Sequence, residues 1–344
     1  MESAIPPYLR TERTQPSTMP PSHIPPFPAW TARFDPLVGQ VVMAYFGVQS
    51  TAELSIEDMK PITHRFVSSS GPKHWDLAHC KDAAGFHNLI AIAYWSAPAD
   101  FLRWRQQSGF DVWWNDPQRA GETVGWFIEI VSPTADRFET LQASLGAPEG
   151  VAHLAESLSD TVQEHGYWGS VRDRFALAQT DPLTGTKPEA NSSQQDSSRT
   201  HLSGRQNLCL IRSGQDWGAT RDKERNLYLH DIQPVLEEGM TYLRDQGGPL
   251  GCLSCRFMRV LDTTTGEPLE KSFGLAHFDE LANLEAWAKT HPTHLAIFGG
   301  FMRYVRALDF QVALRLYHEV SVIPADSQCF EYINCHPGSG LLGS

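Results

Sequence analysis

The run Asn88-Leu-Ile-Ala-Ile-Ala-Tyr-Trp95 is apolar almost throughout, the pattern of a short buried strand. Ser96-Ala-Pro98 follows it, and a proline near the first helical position with Phe101 and Trp104 three residues apart predicts a helix facing one core. The pattern recurs later in the chain. Ser272-Phe-Gly-Leu-Ala-His277 reads as a strand, Asp279 as a helix cap, and Leu281, Leu284 and Trp287 repeat the three-residue apolar step. The second copy trails the first by about 183 residues, the separation of Trp104 and Trp287. Further strands are expected at 40–46, 125–131, 207–213, 254–261 and 312–322, with helical pattern between most of them.

Strands interleaved with helices in two similar halves predict an α+β protein of two ferredoxin-like halves whose sheets pack or curl together. No G-x-G-x-x-G follows any of these strands and there is no P-loop, which argues against a dinucleotide- or nucleotide-binding fold. Two segments break the pattern. The first thirty residues hold eight of the 23 prolines, which suits an extended arm wrapped on the body or on a partner subunit. Gln179 to Arg205 contains almost no large apolar residue and reads as a flexible polar surface loop. The expected organisation is an arm over 1–30, a first half over 31–178, a loop over 179–205 and a second half over 206–344.

Charge and composition narrow the partners. Against 40 Asp and Glu stand 28 Lys and Arg, a net charge of −12, which argues against nucleic acid or an anionic membrane surface. No apolar run reaches eighteen residues, and the opening MESAIPPYLRTERT lacks a secretory apolar stretch, so a cytoplasmic protein is expected. Six cysteines in 344 residues are too few for a disulfide framework and are expected to be thiols. Cys252-Leu-Ser-Cys255 lacks the second pair of a zinc ribbon and the following histidine of a covalent haem site, and buried thiols are the simpler reading.

The candidate chemistry lies in the second half and just before it. In 312–322, Val312, Leu314, Leu316, His318, Val320 and Val322 share one strand face, so His318 points where the aliphatic residues point. A buried imidazole needs a hydrogen-bond partner, a metal or a polar cavity, and a histidine bonded to a backbone carbonyl in the core is the plainer alternative. In HPTHLAIFGGFM, Pro292 starts a helix whose one face carries His294, Ile297, Phe298 and Phe301, with Gly299 and Gly300 removing bulk. That face suits a flat apolar cofactor with an axial imidazole, haem above all, although glycines that ease helix packing beside a core histidine would look the same. His291 is a second candidate if the helix starts later. Ser213 shares a strand face with Cys209 and Ile211 and offers a hydroxyl, but no G-x-S-x-G surrounds it. Arg172 and Arg174 lie in the aromatic- and glycine-rich HGYWGSVRDRF.

The words HGYWGSVRDRF, LIRSGQDW, HPTHLAIFG, LRLYHEVSV and FEYINCHP, in this order, closely resemble those of the haem-dependent aldoxime dehydratases, from about Phe27 to the carboxyl end. The resemblance implies a homodimeric α+β barrel of the dimeric ferredoxin-like type, carrying haem b with ferrous iron, and a lyase converting R-CH=N-OH to R-C≡N and water. It implies His294 as the axial iron ligand, His318 as the distal acid and base, Ser213 as the partner of the oxime hydroxyl, and Arg174 and Glu139 as its support. Two rivals are a haem carrier or sensor without this chemistry, and a haem-free barrel that binds small molecules or acts as a cofactor-independent monooxygenase. The first gives no reason for an inward Ser213 and His318 together.

Overall fold

The computed structural model describes residues 1–166, 170–186, 194–196 and 198–344. The first half runs β1 (Val42–Ser50), α1 (Ile56–Thr63), β2 (His74–Lys81), β3 (His87–Trp95), α2 (Pro98–Gln107), α3 (Phe110–Trp114) and β4 (Gly125–Val131). A connecting stretch holds β5 (Phe138–Gln142), the single turn α4 (Val171–Arg174), and a small hairpin of β6 (Gln194–Asp196) and β7 (Arg199–Leu202). The second half runs β8 (Leu208–Asp216), α5 (Asp222–Leu227), α6 (Gln233–Gln246), β9 (Cys252–Leu261), β10 (Pro268–Phe278), α7 (Leu281–Thr290), α8 (Pro292–Ala307) and β11 (Arg315–Ile323), and β12 (Gln328–Ile333) ends the chain's strands.

The twelve strands form one antiparallel sheet in the order β5-β11-β8-β10-β9-β2-β3-β1-β4-β12-β7-β6. Within it each half repeats one order: its fourth strand lies beside its first, then its third, then its second. The sheet curls so that its concave face is filled from both halves, with Met43, Tyr45, Ile90 and Ile92 meeting Leu208, Leu210, Phe273 and Leu275. The helices cover the convex face. Among them α2 and α7 are the repeated helices of the sequence pattern. Pro98 occupies the first turn of α2 with Phe101 and Trp104 buried, and α7 buries Leu281, Leu284 and Trp287.

Trp104 is fully buried, with its ring 5.0 Å from Trp95 and 4.9 Å from Phe110 and its indole N–H donating to the Arg65 carbonyl. Trp104→Ala should cost about 3–5 kcal/mol, because cavity and lost transfer energy add. Urea unfolding should show the loss as a lower midpoint at an unchanged slope.

Several expectations move by a few residues. Helix α7 is entered through Glu280, and Asp279 instead binds the Asn283 side chain. The last predicted strand starts at Arg315 rather than 312, because Asp309 and Phe310 turn the chain with positive φ and leave Val312 exposed. Of the polar segment 179–205, residues 187–193 and 197 lie outside the described residues, and Arg199–Leu202 adds to the edge of β12. Residues of the first thirty lie along 161–180, with Glu2 bridging Val162 and Trp30 bridging Gln142. Among the described residues, no helix is long and apolar enough to cross a membrane.

Candidate active site

Neighbouring strands at the β5 edge of the sheet bring the candidate residues into register. Ser213 on β8 lies opposite His318 on β11, and β5 flanks β11 with Leu141 opposite His318 and Glu139 opposite Val320. In-register partners share a face, so Ser213, His318 and Glu139 all rise from the helix-covered side. There Ile211, Ser213, Leu316 and His318 are only half-buried, although they sit mid-strand. Helix α8 shows a matching lack of cover. It packs mainly on α6 and α7, and its face of His294, Ile297, Phe298 and Phe301 is half-buried as well. Half-covered apolar surface thus lies on both elements.

The distal cluster is bound through charge. Arg174, only 2% exposed in its side chain, donates from Nε to Glu139 at 2.6 Å, from Nη1 to the Glu164 carbonyl at 2.8 Å and the Ser170 hydroxyl at 3.0 Å, and from Nη2 towards His318 Nε2 at 3.0 Å. His318 Nε2 also lies 2.9 Å from Glu139 Oε1. One ring nitrogen thus faces an acceptor and a donor: protonated it donates to Glu139, and deprotonated it accepts from Arg174. The ring is satisfied in both states, and Nδ1 is left for a ligand.

Burial pushes the Glu139 pKa up, but Arg174 and His318 beside it outweigh that and hold it at about 2. Its folded value lies below the unfolded one, so this carboxylate stabilises the fold above about pH 4.3 and stops doing so as pH falls towards 2. Melting temperatures measured between pH 6 and 2 should therefore fall less steeply with acidification in Glu139→Gln than in the parent protein, from a lower starting value.

His294 differs in kind. Burial lowers its pKa to about 4 against the opposing effect of a hydrogen bond to the Ala288 backbone, and the Trp287 ring meets it edge-on at 4.5 Å. A neutral imidazole whose ring is oriented by a backbone hydrogen bond is the form that ligates a metal. The neutral imidazole, the half-buried apolar faces and the polar groups on the sheet make a donor set that fits haem. His291 is occupied otherwise: its Nδ1 lies 2.9 Å from the Thr293 hydroxyl in the first turn of α8, and Tyr242 packs on its ring.

The expected residues therefore separate into a connected distal group, Glu139, Arg174 and His318 with Ser213 beside it, and a distant His294 on the helix. Arg172 leaves the site and pairs with Glu285 at 2.7 Å. Tyr167, Trp168 and Gly169 of the aromatic- and glycine-rich word lie outside the described residues. Cys252 and Cys255 are buried free thiols, and burial pushes Cys252 up to about 12.

Two functional neighbours escape the sequence reading. Arg212 precedes Ser213 and Glu319 follows His318, both on the opposite strand face. Both are buried in the concave core. Arg212 donates to Tyr94 at 2.7 Å and Asp76 at 2.6 Å, while Tyr94 and the Val151 N–H donate to Glu319 at 2.8 and 2.6 Å. The close approach of Val151 depends on Gly150, whose φ is +58° and where a Cβ would lie 2.3 Å from the Glu319 carboxylate. This network pins the backbone beneath Ser213 and His318 from below. The available signal was an Arg and a Glu of opposite sign, each next to a candidate residue.

Comparison with known proteins agrees with this geometry. The sequence profile of the haem-containing dehydratases matches residues 44–341. The aliphatic aldoxime dehydratase of Pseudomonas chlororaphis is 44% identical over 99% of this chain and 98% of its own length, and the phenylacetaldoxime dehydratase of a Bacillus strain is 33% identical over 94% and 93%. A crystal structure of an aldoxime dehydratase in complex with butyraldoxime superposes with a TM-score of 0.95 at 42% identity, covering 100% of this chain and 96% of that one. The chain thus belongs to the family of haem-containing dehydratases.

Proposed function

We propose that the protein is a haem-dependent lyase that dehydrates aldoximes, R-CH=N-OH, to nitriles, R-C≡N, and water. The observation that carries the reading is the Glu139–Arg174–His318 cluster, in which two buried charged side chains hold Nε2 of one half-buried imidazole. Haem b in its ferrous form, when bound, would supply an electron-rich iron able to weaken the N–O bond of the oxime, and His294 would hold it.

The chain's own residues carry the rest. His294 holds the iron, with Ala288 fixing its ring. Hydroxide leaves poorly, so the departing oxygen must be protonated. Ser213 hydrogen-bonds that oxygen, and His318 as imidazolium gives it the proton. The neutral ring then takes the proton from carbon, the C≡N bond closes, and one water has been lost. Arg174 and Glu139 keep the ring aimed through Nε2 while the proton at Nδ1 comes and goes. The apolar, half-buried Ile211, Leu316, Ile297 and Phe301 suit an alkyl or arylalkyl group.

The same reading takes 31–178 and 206–344 as two ferredoxin-like halves, supported by their common strand order, with 1–30 as an arm and 179–205 as a loop. It takes the enzyme as a cytoplasmic homodimer, as the family resemblance implies.

The test is the spectrum of dithionite-reduced protein before and after anaerobic addition of phenylacetaldoxime or butyraldoxime, with nitrile measured in the same sample. A Soret band that moves as nitrile appears supports the proposal. A Soret band without nitrile makes the protein a haem carrier or sensor, and none after reconstitution with haem removes the cofactor from the reading. Ser213→Ala should lower kcat about 100-fold with the ferrous spectrum unchanged, as loss of one well-placed hydroxyl at a developing charge does.

A further inference from the structure

Arg174 ends a helix of a single turn, too short to be stable alone. Its position depends on contacts from elsewhere, and the amino-terminal arm supplies them at two points. At the first, the Ser3 hydroxyl and the Ala4 N–H each donate to the Glu164 carboxylate at 2.8 Å, and the carbonyl of that same Glu164 accepts from Arg174 Nη1. At the second, the carboxylate of Asp173, 1% exposed, accepts from the Thr18 N–H at 2.9 Å, the Thr18 hydroxyl at 2.6 Å and the Met19 N–H at 2.8 Å, with Arg13 at 3.6 Å.

Burying a carboxylate costs several kcal/mol unless donors replace its water. Here the donors come from a segment more than 150 residues away in sequence, and the carboxylate belongs to the residue before Arg174. Neither Asp173 nor Glu164 directs its carboxylate to His318. Both instead fix what surrounds the guanidinium: the backbone from which it projects, and the carbonyl that receives one of its nitrogens.

We infer that the arm is a working part of the site, and that Asp173, gripped by Thr18 and Met19, and Glu164, gripped by Ser3 and Ala4, are positioning residues that set Arg174 against His318. This rests on the reading of His318 as the proton donor. The arm then acts on turnover rather than on haem, whose ligand His294 lies on α8.

The test is a double-mutant cycle in the full-length holoenzyme with Asp173→Asn, Thr18→Ala and the pair. Each single variant should keep its haem content and ferrous Soret band and hold KM within about threefold, while kcat falls about 10- to 100-fold, the range that a small misplacement of a catalytic group produces. The double variant should be no slower than Asp173→Asn, because both changes open the same contact. Thr18→Ser, which keeps the hydroxyl, should restore the rate lost in Thr18→Ala. Unchanged kcat, additive losses, or a loss confined to KM overturns the inference. Should Asp173→Asn fail to fold, the Ser against Ala comparison at Thr18 decides. His318→Ala in parallel separates the two levels: if it turns over normally, the role of His318 has failed, and not that of the arm.

Discussion

His318→Ala is expected to lower kcat for aldoxime dehydration about 1,000-fold or more, with haem content and the ferrous spectrum retained, since a positioned acid and base contributes about 10²–10⁴-fold. The expected effect is large because the proposed mechanism assigns both proton transfers to one ring. Once alanine replaces it, the leaving oxygen has no donor and the C–H proton no acceptor, and Arg174 and Glu139 are left paired with each other. Neither can stand in: the guanidinium stays protonated in proteins, and Glu139, held at about 2, is a carboxylate at working pH. Binding is expected to change far less than turnover, so the loss should appear in kcat with KM of the same order. Turnover near the parental rate would mean that the proton comes from another group. Glu139→Gln should fall between parent and His318→Ala, since it leaves the ring in place but exchanges the charged acceptor of its protonated form for a neutral amide oxygen.

The second large effect is at the helix. His294→Ala should abolish haem retention at ordinary protein concentration, and with it all dehydratase activity, while the fold persists. Gel filtration of protein expressed with ample haem, followed by the ratio of Soret to protein absorbance, checks this directly. The side chain lies outside the sheet core, and its ring meets Trp287 without filling a strand interface, so far-ultraviolet circular dichroism should stay near the parental spectrum. His291→Ala is the control. That ring is engaged in the first turn of α8, and its loss should leave the Soret band intact. A Soret band kept by His294→Ala and lost by His291→Ala would exchange their roles.

The contrast between the two strand faces explains what was legible in the sequence. Alternation placed His318 with the aliphatic residues of 312–322 and Ser213 with Cys209 and Ile211, because a period of two survives whatever covers the sheet. Arg212, Tyr317, Glu319 and Ser321 lie on the opposite faces of these strands. They fill the concave interior, since a curled sheet buries both faces and a closed network can satisfy buried polar groups. The strands 74–81, 138–142 and 328–333 were not among those expected. Their sequences mix polar residues at core positions, as in HWDLAHCK and FETLQ, and only pairing with neighbours makes them strands. Glu139 carried no local pattern and Arg174 stood out only within the aromatic- and glycine-rich HGYWGSVRDRF; the family resemblance suggested a role for both. The repeat of strand and helix, by contrast, came through cleanly in Trp104 and Trp287, because helical spacing against one core leaves a mark that needs no neighbour.

The seam between β5 and β11 fixes when the enzyme can first exist. Glu139 and His318 sit on strands separated by more than half the chain, so a ribosome making about 5–20 residues per second exposes one of the order of ten to thirty seconds before the other. Helix α8, which the proposed function takes to hold the haem iron, emerges just ahead of β11. The Glu139–His318 contact therefore closes only once β11 has been made.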